Sequence, residues 1–223
     1  MSKCKLIMAL DLPDKKSFVR WVDKTKDLVS FYKVGLQIYT KIGPDAVNII
    51  KKRGKNVFLD LKFFDIPNTV ASAINSGVSL DVDMIDLHLL AGKDNLLQII
   101  RAVKPILKKR RTKLIGITLL TSAKAGNRIK NKVIELSELA KEVGLDGVVC
   151  SGQEASVVRH KCGGKFIIIC PGIRIDSNVG DQKRIATPEE VSKFADYVVV
   201  GRPILTAKNP LSVIEDINNR LSS

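Results

Sequence analysis

The sequence predicts an α/β fold, a closed (β/α)8 barrel, and three observations support this prediction. Eight short apolar runs recur along 223 residues, amphipathic stretches lie between most of them, and nearly every run ends at a polar residue. Strands that are apolar almost without interruption are typical of a parallel sheet that is covered on both faces. Eight such units in this length fit one barrel near the small end of its size range. We therefore expect one domain that spans residues 1–223.

The predicted strands are short and rich in Val, Ile and Leu. They cover residues 6–10, 31–34, 57–61, 84–87, 114–119, 147–150, 166–170 and 197–200. An open doubly wound sheet is the alternative fold, but it would more naturally have five or six strands and a glycine-rich first turn. The first predicted strand is instead followed by Asp11-Leu12-Pro13, which favours the barrel.

The predicted helices carry apolar residues at helical spacing. They cover residues 15–28, 45–53, 68–79, 95–107, 130–143 and 211–221. Pro44 and Pro210 are expected in first helical turns, where proline is tolerated. Thr187 and Glu190 have the spacing of a capping box, which predicts another helix start.

Composition and residue spacing argue against a membrane-spanning, a secreted or a metal-binding protein. No stretch approaches 18 apolar residues, so we expect no membrane span. The N-terminal segment lacks a small-residue cleavage site and is interpreted as a first strand rather than a signal peptide. The four cysteines have no paired spacing, which predicts reduced structural thiols in a cytoplasmic protein and no metal site.

The formal charge of +14 favours an anionic partner, either a nucleic acid or a phosphorylated metabolite. The densest basic run, residues 108–111, is typical of a solvated helix end. Aromatic residues make up only 5% of the chain and do not alternate with basic ones, which argues against a stacking platform for single-stranded nucleic acid.

The predicted strand ends place polar side chains at one mouth of the barrel, where reactive groups of this fold lie. They are Asp11, Lys33, Asp60 with Lys62, His88, Thr121, Ser151, Arg174 and Gly201 with Arg202. A lone histidine such as His88 is more often a hydrogen-bonded supporting residue than a catalyst. The convergence of the other groups predicts an active site.

The segment LDLKFFDIPNT, residues 59–69, holds the strongest chemical signal. Asp60 and Lys62 are two positions apart and project to the same face of a strand. Lys33 adds a second cation, which gives an alternating Lys–Asp–Lys–Asp array if Asp65 reaches it. A structural ion-pair network is the alternative, but this position favours catalysis. An ammonium held beside a carboxylate can stabilise a developing carbanion and protonate it.

A phosphate site is predicted after the eighth strand. Gly201 and Arg202 follow the eighth predicted strand, where barrels often bind phosphate, and Arg202 can pair with phosphate in a bidentate way. Residues 173–186 form a long segment without clear periodicity that contains Arg174 and Gln182. Long loops in compact domains are usually functional, so this one is a candidate lid over an anion.

In sequence order, these motifs resemble the orotidine 5′-phosphate decarboxylase family along the whole chain. The matching segments are MALDLP, FYKVG, FLDLKFFDIPNT, TLLTS, CPGIR, GDQKRIATP and VVVGRPI. The resemblance implies decarboxylation of orotidine 5′-monophosphate to uridine 5′-monophosphate without a metal or an organic cofactor. It also implies a homodimer with shared active sites, in which Asp65 and Thr69 serve the partner's site.

The resemblance implies a role for each matching residue. Lys62 would protonate C6 of the pyrimidine, and Asp60 would crowd the substrate carboxylate and orient Lys62. Lys33 would hold Asp60 and the ribose, and Asp11 would bind ribose hydroxyls. Thr121 and Pro171 would lie near the pyrimidine, and the phosphate side would comprise Arg174, Gln182, Gly201 and Arg202. The chain departs from many bacterial members at Phe64, where they have histidine, and its lid is about one residue shorter than in some relatives.

Sugar-phosphate decarboxylases and hexulose-phosphate synthases are the nearest alternative. They share the Asp-x-Lys-x-x-Asp pattern but require Mg²⁺, and they lack the Ile-Pro-Asn-Thr continuation and the lysine pattern of FYKVG. A basic nucleic-acid-binding protein is the alternative from another class; the clustering of charge at strand ends argues against it.

Overall fold

In a computed structural model that describes residues 4–120, 126–173 and 187–222, eight parallel strands close into a barrel. The strands are β1 (Lys5–Ala9), β2 (Phe31–Gly35), β3 (Asn56–Phe63), β4 (Met84–His88), β5 (Lys113–Ile117), β6 (Gly147–Val149), β7 (Ile167–Pro171) and β8 (Tyr197–Val200). Each strand pairs with the next along the chain, and β8 pairs with β1. The predicted (β/α)8 barrel is confirmed.

The helices surround the strands. They are α1 (Lys15–Thr25), α2 (Leu36–Ile42), α3 (Asp45–Lys51), α4 (Pro67–Ser79), α5 (Lys93–Arg110), α6 (Asn127–Val143), α7 (Gly152–Cys162), α8 (Pro188–Ser192), α9 (Arg202–Leu205) and α10 (Pro210–Arg220), and a 3-10 turn covers Leu89–Ala91. The predicted capping box at Thr187 and Glu190 is present and starts α8. Pro210 opens α10 as predicted, whereas Pro44 precedes the first residue of α3.

The sequence patterns did not predict α2, α7 and α9. Helix α2 follows β2 directly, so its apolar residues extend the apolar run of the strand. In α7 the buried side chains include the polar Glu154 and the small Ala155, which leave only a weak apolar stripe. Helix α9 has four residues, too few for a helical period to appear.

Two apolar layers form the core. The larger layer lies between the sheet and the helices, and it includes Leu59, Ile74 and Val148. The smaller layer comes from alternate strand positions that face the barrel interior: Ile7, Ala9, Phe31, Phe58, Met84, Ile115, Ile169 and Val199. This filled interior closes the barrel below its mouth and leaves the polar side chains above it.

Aspartates hold the beginnings of three strands at the end opposite the mouth. Asp83 accepts a hydrogen bond from the backbone N–H of Val57 at 2.8 Å. Asp146 accepts one from Leu114 at 2.9 Å, and Asp196 accepts one from Ile168 at 2.8 Å. Each carboxylate also pairs with a basic side chain. This end of the barrel therefore uses its charges for structure.

Two further predictions are confirmed. All four cysteines are buried and free, as expected for structural thiols. The basic run at residues 108–111 lies at the exposed C-terminal end of α5. Within the described residues, no helix is long and apolar enough to cross a membrane.

Candidate active site

An alternating array of charges lies at the C-terminal ends of the first three strands. The Nζ atom of Lys33 is 3.2 Å from Oδ2 of Asp60 and 3.1 Å from Oδ1 of Asp11. The Nζ atom of Lys62 donates to the other oxygen of Asp60, Oδ1. The predicted grouping of Lys33, Asp60 and Lys62 is therefore present, and Asp11 extends it.

The array is largely withdrawn from water. The side chains of Asp60, Lys33 and Lys62 are 9%, 12% and 33% exposed, respectively. Burial alone would raise the pKa of Asp60, but the charges of Lys33 and Lys62 and a hydrogen bond from Asp86 outweigh it, so that pKa lies well below its usual value. Burial opposes the charge of Lys33, but Asp60 and Asp11 raise its pKa above the ordinary value. Asp60 is therefore a carboxylate and Lys33 an ammonium at neutral pH.

The backbone of β3 is irregular where Lys62 leaves the strand. Its pairing with β4 shifts between Leu59 and Phe63. Lys62 has φ +52°, in the left-handed region that residues other than glycine rarely adopt. Strict alternation along the strand therefore does not by itself account for the place of Lys62. A bulge of this kind redirects a side chain, and bulges are frequent beside active sites.

Asp86, which the sequence patterns did not indicate as a site residue, lies on β4 and is fully buried. Its Oδ1 accepts hydrogen bonds from the backbone N–H groups of Lys62 at 2.7 Å and Leu61 at 3.1 Å. The available signal was an acidic residue inside the otherwise apolar run 84–87. A buried carboxyl in a core strand is rare enough to indicate a specific partner.

His88 ends β4 and lies close to the array. Its Nδ1 accepts the backbone N–H of Leu90 at 3.4 Å, and its ring lies against Phe64 with 5.5 Å between centroids. Burial, and then the charge of Lys62, lower the pKa of His88, which favours a neutral imidazole. These contacts agree with the supporting role expected of a lone histidine.

Asp65 and Thr69 follow β3 and are exposed. The carboxylate of Asp65 accepts the N–H of Ile66 at 2.6 Å, and among the described residues it forms no ion pair with Lys62. The fourth member of the predicted array is therefore not supplied within the same chain.

The remaining predicted site residues divide into two groups. Pro171 ends β7 and is partly buried, and Gly201 and Arg202 follow β8 directly. They thus lie at the same mouth as the charge array. Thr121, Arg174 and Gln182 fall outside the described residues, and their assignments stay predictions.

Gly35, the last residue of β2, leaves the space that the array occupies. A Cβ atom at this position would lie 2.6 Å from Nζ of Lys33 and 2.9 Å from Oδ1 of Asp11. Its backbone is extended, at φ −100° and ψ −178°, so the need for glycine is steric rather than conformational. The motif FYKVG contains this residue, but only the packing shows why it matters.

Gly35→Ala is expected to keep the fold and lower the rate of any reaction that depends on Lys33 by about tenfold. The flexible end of Lys33 can move away from the new methyl group, so the cost falls on the geometry of the array. Steady-state kinetics together with a thermal unfolding curve measure both effects. Gly164→Ala is the matched control, since a Cβ atom there meets nothing within 4 Å. A Gly35→Ala protein with unchanged kinetics would contradict the argument.

Comparisons with known proteins find relatives over nearly the whole chain. Residues 4–217 match the family model described as Orotidine 5′-phosphate decarboxylase / HUMPS family. The chain is 39% identical over 237 residues to the orotidine 5′-phosphate decarboxylase of Nostoc sp., covering 100% of this chain and 99% of that protein. It is 44% identical over 219 residues to that of Carboxydothermus hydrogenoformans, covering 92% and 90% of the two chains. The crystal structure of the Lactobacillus acidophilus orotidine 5′-phosphate decarboxylase superposes with a TM-score of 0.84 at 30% identity, covering 99% of this chain and all of that one.

Proposed function

The chain belongs to the orotidine 5′-phosphate decarboxylase / HUMPS family, and we propose that it converts orotidine 5′-monophosphate to uridine 5′-monophosphate and CO₂ in pyrimidine biosynthesis. The observation that carries the proposal is the Lys33–Asp60–Lys62 array at the barrel mouth. We assign this activity to a single domain that spans residues 1–223. Loss of orotidine 5′-monophosphate absorbance on addition of the purified protein, with formation of uridine 5′-monophosphate, tests it directly.

Lys62 supplies the proton in the proposed reaction. The bond between C6 and the carboxylate breaks, CO₂ leaves, and the electron pair stays on C6, where the ring cannot readily delocalise it. The ammonium of Lys62 stabilises this charge and then transfers one proton to C6, and neutral Lys62 regains a proton from solvent. Its contact with Asp60 holds the ammonium in place before the substrate arrives.

The neighbouring charges prepare the site for this step. Asp60 orients Lys62 and lies beside the substrate carboxylate, whose charge it repels until CO₂ departs. Lys33 holds Asp60 and reaches the ribose, and Asp11, about half exposed at the mouth, accepts hydrogen bonds from ribose hydroxyls. Because these charges are already ordered, little reorganisation is needed in the transition state.

The binding energy for the remainder of the nucleotide comes from residues at or after the ends of β5, β7 and β8 in the sequence. We assign Arg174, Gln182, Gly201 and Arg202 to the phosphate, and Thr121 and Pro171 to the pyrimidine. Contacts far from C6 contribute to closure and orientation rather than to the chemical step itself. The position of Arg202, directly after β8, supports the phosphate assignment.

We propose that neither a metal nor an organic cofactor takes part. Both oxygens of Asp60 already accept from ammonium groups, so a Mg²⁺ ion would have to displace Lys33 or Lys62 to bind there. Turnover of orotidine 5′-monophosphate that persists in EDTA is the expected result. Loss of turnover in EDTA, restored by added Mg²⁺, would favour the metal-dependent sugar-phosphate enzymes instead.

A homodimer with shared active sites completes the proposal. Leu36, Phe64 and Ile66 are 58%, 60% and 66% exposed, and they follow two neighbouring strands, β2 and β3, at the mouth. Large apolar side chains exposed together are typical of an interaction surface. Asp65 and Thr69 lie on the same surface, so a partner covering it would receive both residues in its own site.

Subunit exchange tests this arrangement. Lys62→Ala and Asp65→Ala proteins are each expected to be inactive or nearly so, and a mixture of equal amounts should recover about a quarter of wild-type activity per total site. Random pairing makes half of the dimers hybrid, and one of the two sites in each hybrid carries neither change. The assay is turnover before and after exchange, with exchange followed independently by differently tagged subunits. Absence of recovery despite exchange would place Asp65 in its own subunit's site.

A further inference from the structure

Among the residues that the structure describes, Asp86 is the fully buried carboxyl group in contact with the charge array, and the reaction above gives it no role. Its Oδ1 accepts the two N–H groups of Leu61 and Lys62. Its Oδ2 is also buried, has no N–H or O–H partner, and faces the carboxylate of Asp60. A buried oxygen that faces only another acceptor is satisfied when a proton lies between the two groups.

The proton belongs on Asp86 rather than on Asp60. Burial, and then the adjacent charge of Asp60, raise the pKa of Asp86 well above its ordinary value. Asp60 has Lys33 and Lys62 as counterions and stays ionised. Within the described part of the chain, the charged groups that face Asp86 are Asp60 and Lys62, both from β3, while its strand partner on β5 is the apolar Ile115.

We propose, on the basis of the function proposed above, that Asp86 is a neutral positioning residue. It holds the backbone of Lys62 through one oxygen and donates a hydrogen bond to Asp60 through the other.

The backbone contact accounts for the conformation of Lys62. A lysine at positive φ persists only where its surroundings fix it, and both N–H groups at the bulge are fixed by a single oxygen of Asp86. The resulting direction of the side chain brings its ammonium to Asp60. Because Asp86 is neutral, it supports the charge of Asp60 without adding a second anion beside Lys62. A second anion there would make the ammonium of Lys62 release its proton less readily.

Two substitutions separate this role from simple packing. Asp86→Asn keeps an oxygen for the two N–H groups and offers an N–H to Asp60, so it should retain most of the wild-type kcat. Asp86→Ala removes both interactions and should lower kcat about tenfold with KM changed less than about threefold, because the loss affects the orientation of Lys62. Asp83→Ala is the matched control, because Asp83 accepts the N–H of Val57 at the other end of β3, and it should lower Tm without lowering kcat.

Amide hydrogen exchange and pH-dependent unfolding test the role without any assay of activity. In Asp86→Ala the amides of Leu61 and Lys62 should exchange faster, whereas Asp86→Asn should keep them protected. The native protein retains the proton of Asp86 above about pH 4, where the unfolded chain has lost it, so this group's contribution to stability declines as pH rises. Asp86→Asn lacks that decline, and the excess of its Tm over that of the wild type should grow from pH 4 upward.

Each outcome decides a separate question. If the wild-type protein does not decarboxylate orotidine 5′-monophosphate, the proposed function fails. Amide hydrogen exchange and the pH dependence of Tm still test the positioning role of Asp86 in that case. If Asp86→Ala keeps the wild-type kcat, or Asp86→Asn loses as much as Asp86→Ala, the positioning role is wrong. A difference in Tm between Asp86→Asn and the wild type that does not change with pH would show that Asp86 is ionised in the native protein, which also overturns the proposal.

Discussion

Lys62→Ala should lower kcat for orotidine 5′-monophosphate by at least about 10⁴-fold. A positioned general acid contributes about 10²–10⁴-fold, and a charge held beside a developing anion contributes about 10²–10³-fold. The substitution removes both contributions at once, because the same ammonium stabilises the carbanion and protonates it. Single-turnover and steady-state kinetics on the purified variant measure the loss.

A second lysine provides the control for folding and for loss of an ion pair. Lys51 is also partly buried, but it lies at the opposite end of the barrel. Its Nζ atom is 3.0 Å from Oδ2 of Asp83 and 3.6 Å from Oδ2 of Asp81. Lys51→Ala should therefore affect unfolding while leaving kcat near the wild-type value. Lys62→Arg separates the two roles further, because arginine keeps a positive charge beside Asp60 but does not release its proton at neutral pH. A well-folded Lys62→Ala protein with near-native turnover would refute the assignment.

The fold was predictable because a parallel barrel leaves a strong sequence signal. Strands such as β4 and β8 are covered on both faces and are therefore apolar almost throughout, whereas their ends carry polar groups. Helices α2 and α9 were not predictable by the same means, since the apolar residues of α2 continue those of β2 and α9 has only four residues.

The charge array was predictable in part for a related reason. Asp60 and Lys62 are close in sequence, and Lys33 lies near the C-terminal end of the neighbouring strand β2, so spacing and strand order bring the three together. Asp86 and Gly35 act through contacts across strands: one accepts the N–H of Lys62, and the other leaves space for Lys33. Such contacts depend on register and on the bulge in β3, neither of which the spacing of residues reveals.

Arg202→Ala should lower kcat/KM for orotidine 5′-monophosphate by about 10–150-fold. One charge-assisted contact with phosphate is worth about 1.5–3 kcal/mol, and each 1.4 kcal/mol corresponds to a factor of ten. The lost interaction is remote from C6, so orotidine without its phosphate should react at nearly the same rate with both proteins. Measuring kcat/KM for both substrates with both proteins isolates the coupling between Arg202 and the phosphate.

Net charge needs its own control, because a chain with a formal charge of +14 attracts a nucleotide anion at long range. Arg101→Ala removes one exposed guanidinium from α5, outside the barrel mouth, and changes the net charge by the same amount. That variant should keep nearly the wild-type kcat/KM at physiological ionic strength, where long-range attraction is screened. If Arg202→Ala reduced the rates of both substrates equally, Arg202 would support the structure of the site rather than bind phosphate. If Arg101→Ala reduced kcat/KM for the nucleotide as much as Arg202→Ala, the effect would come from the overall field and not from a contact at the end of β8.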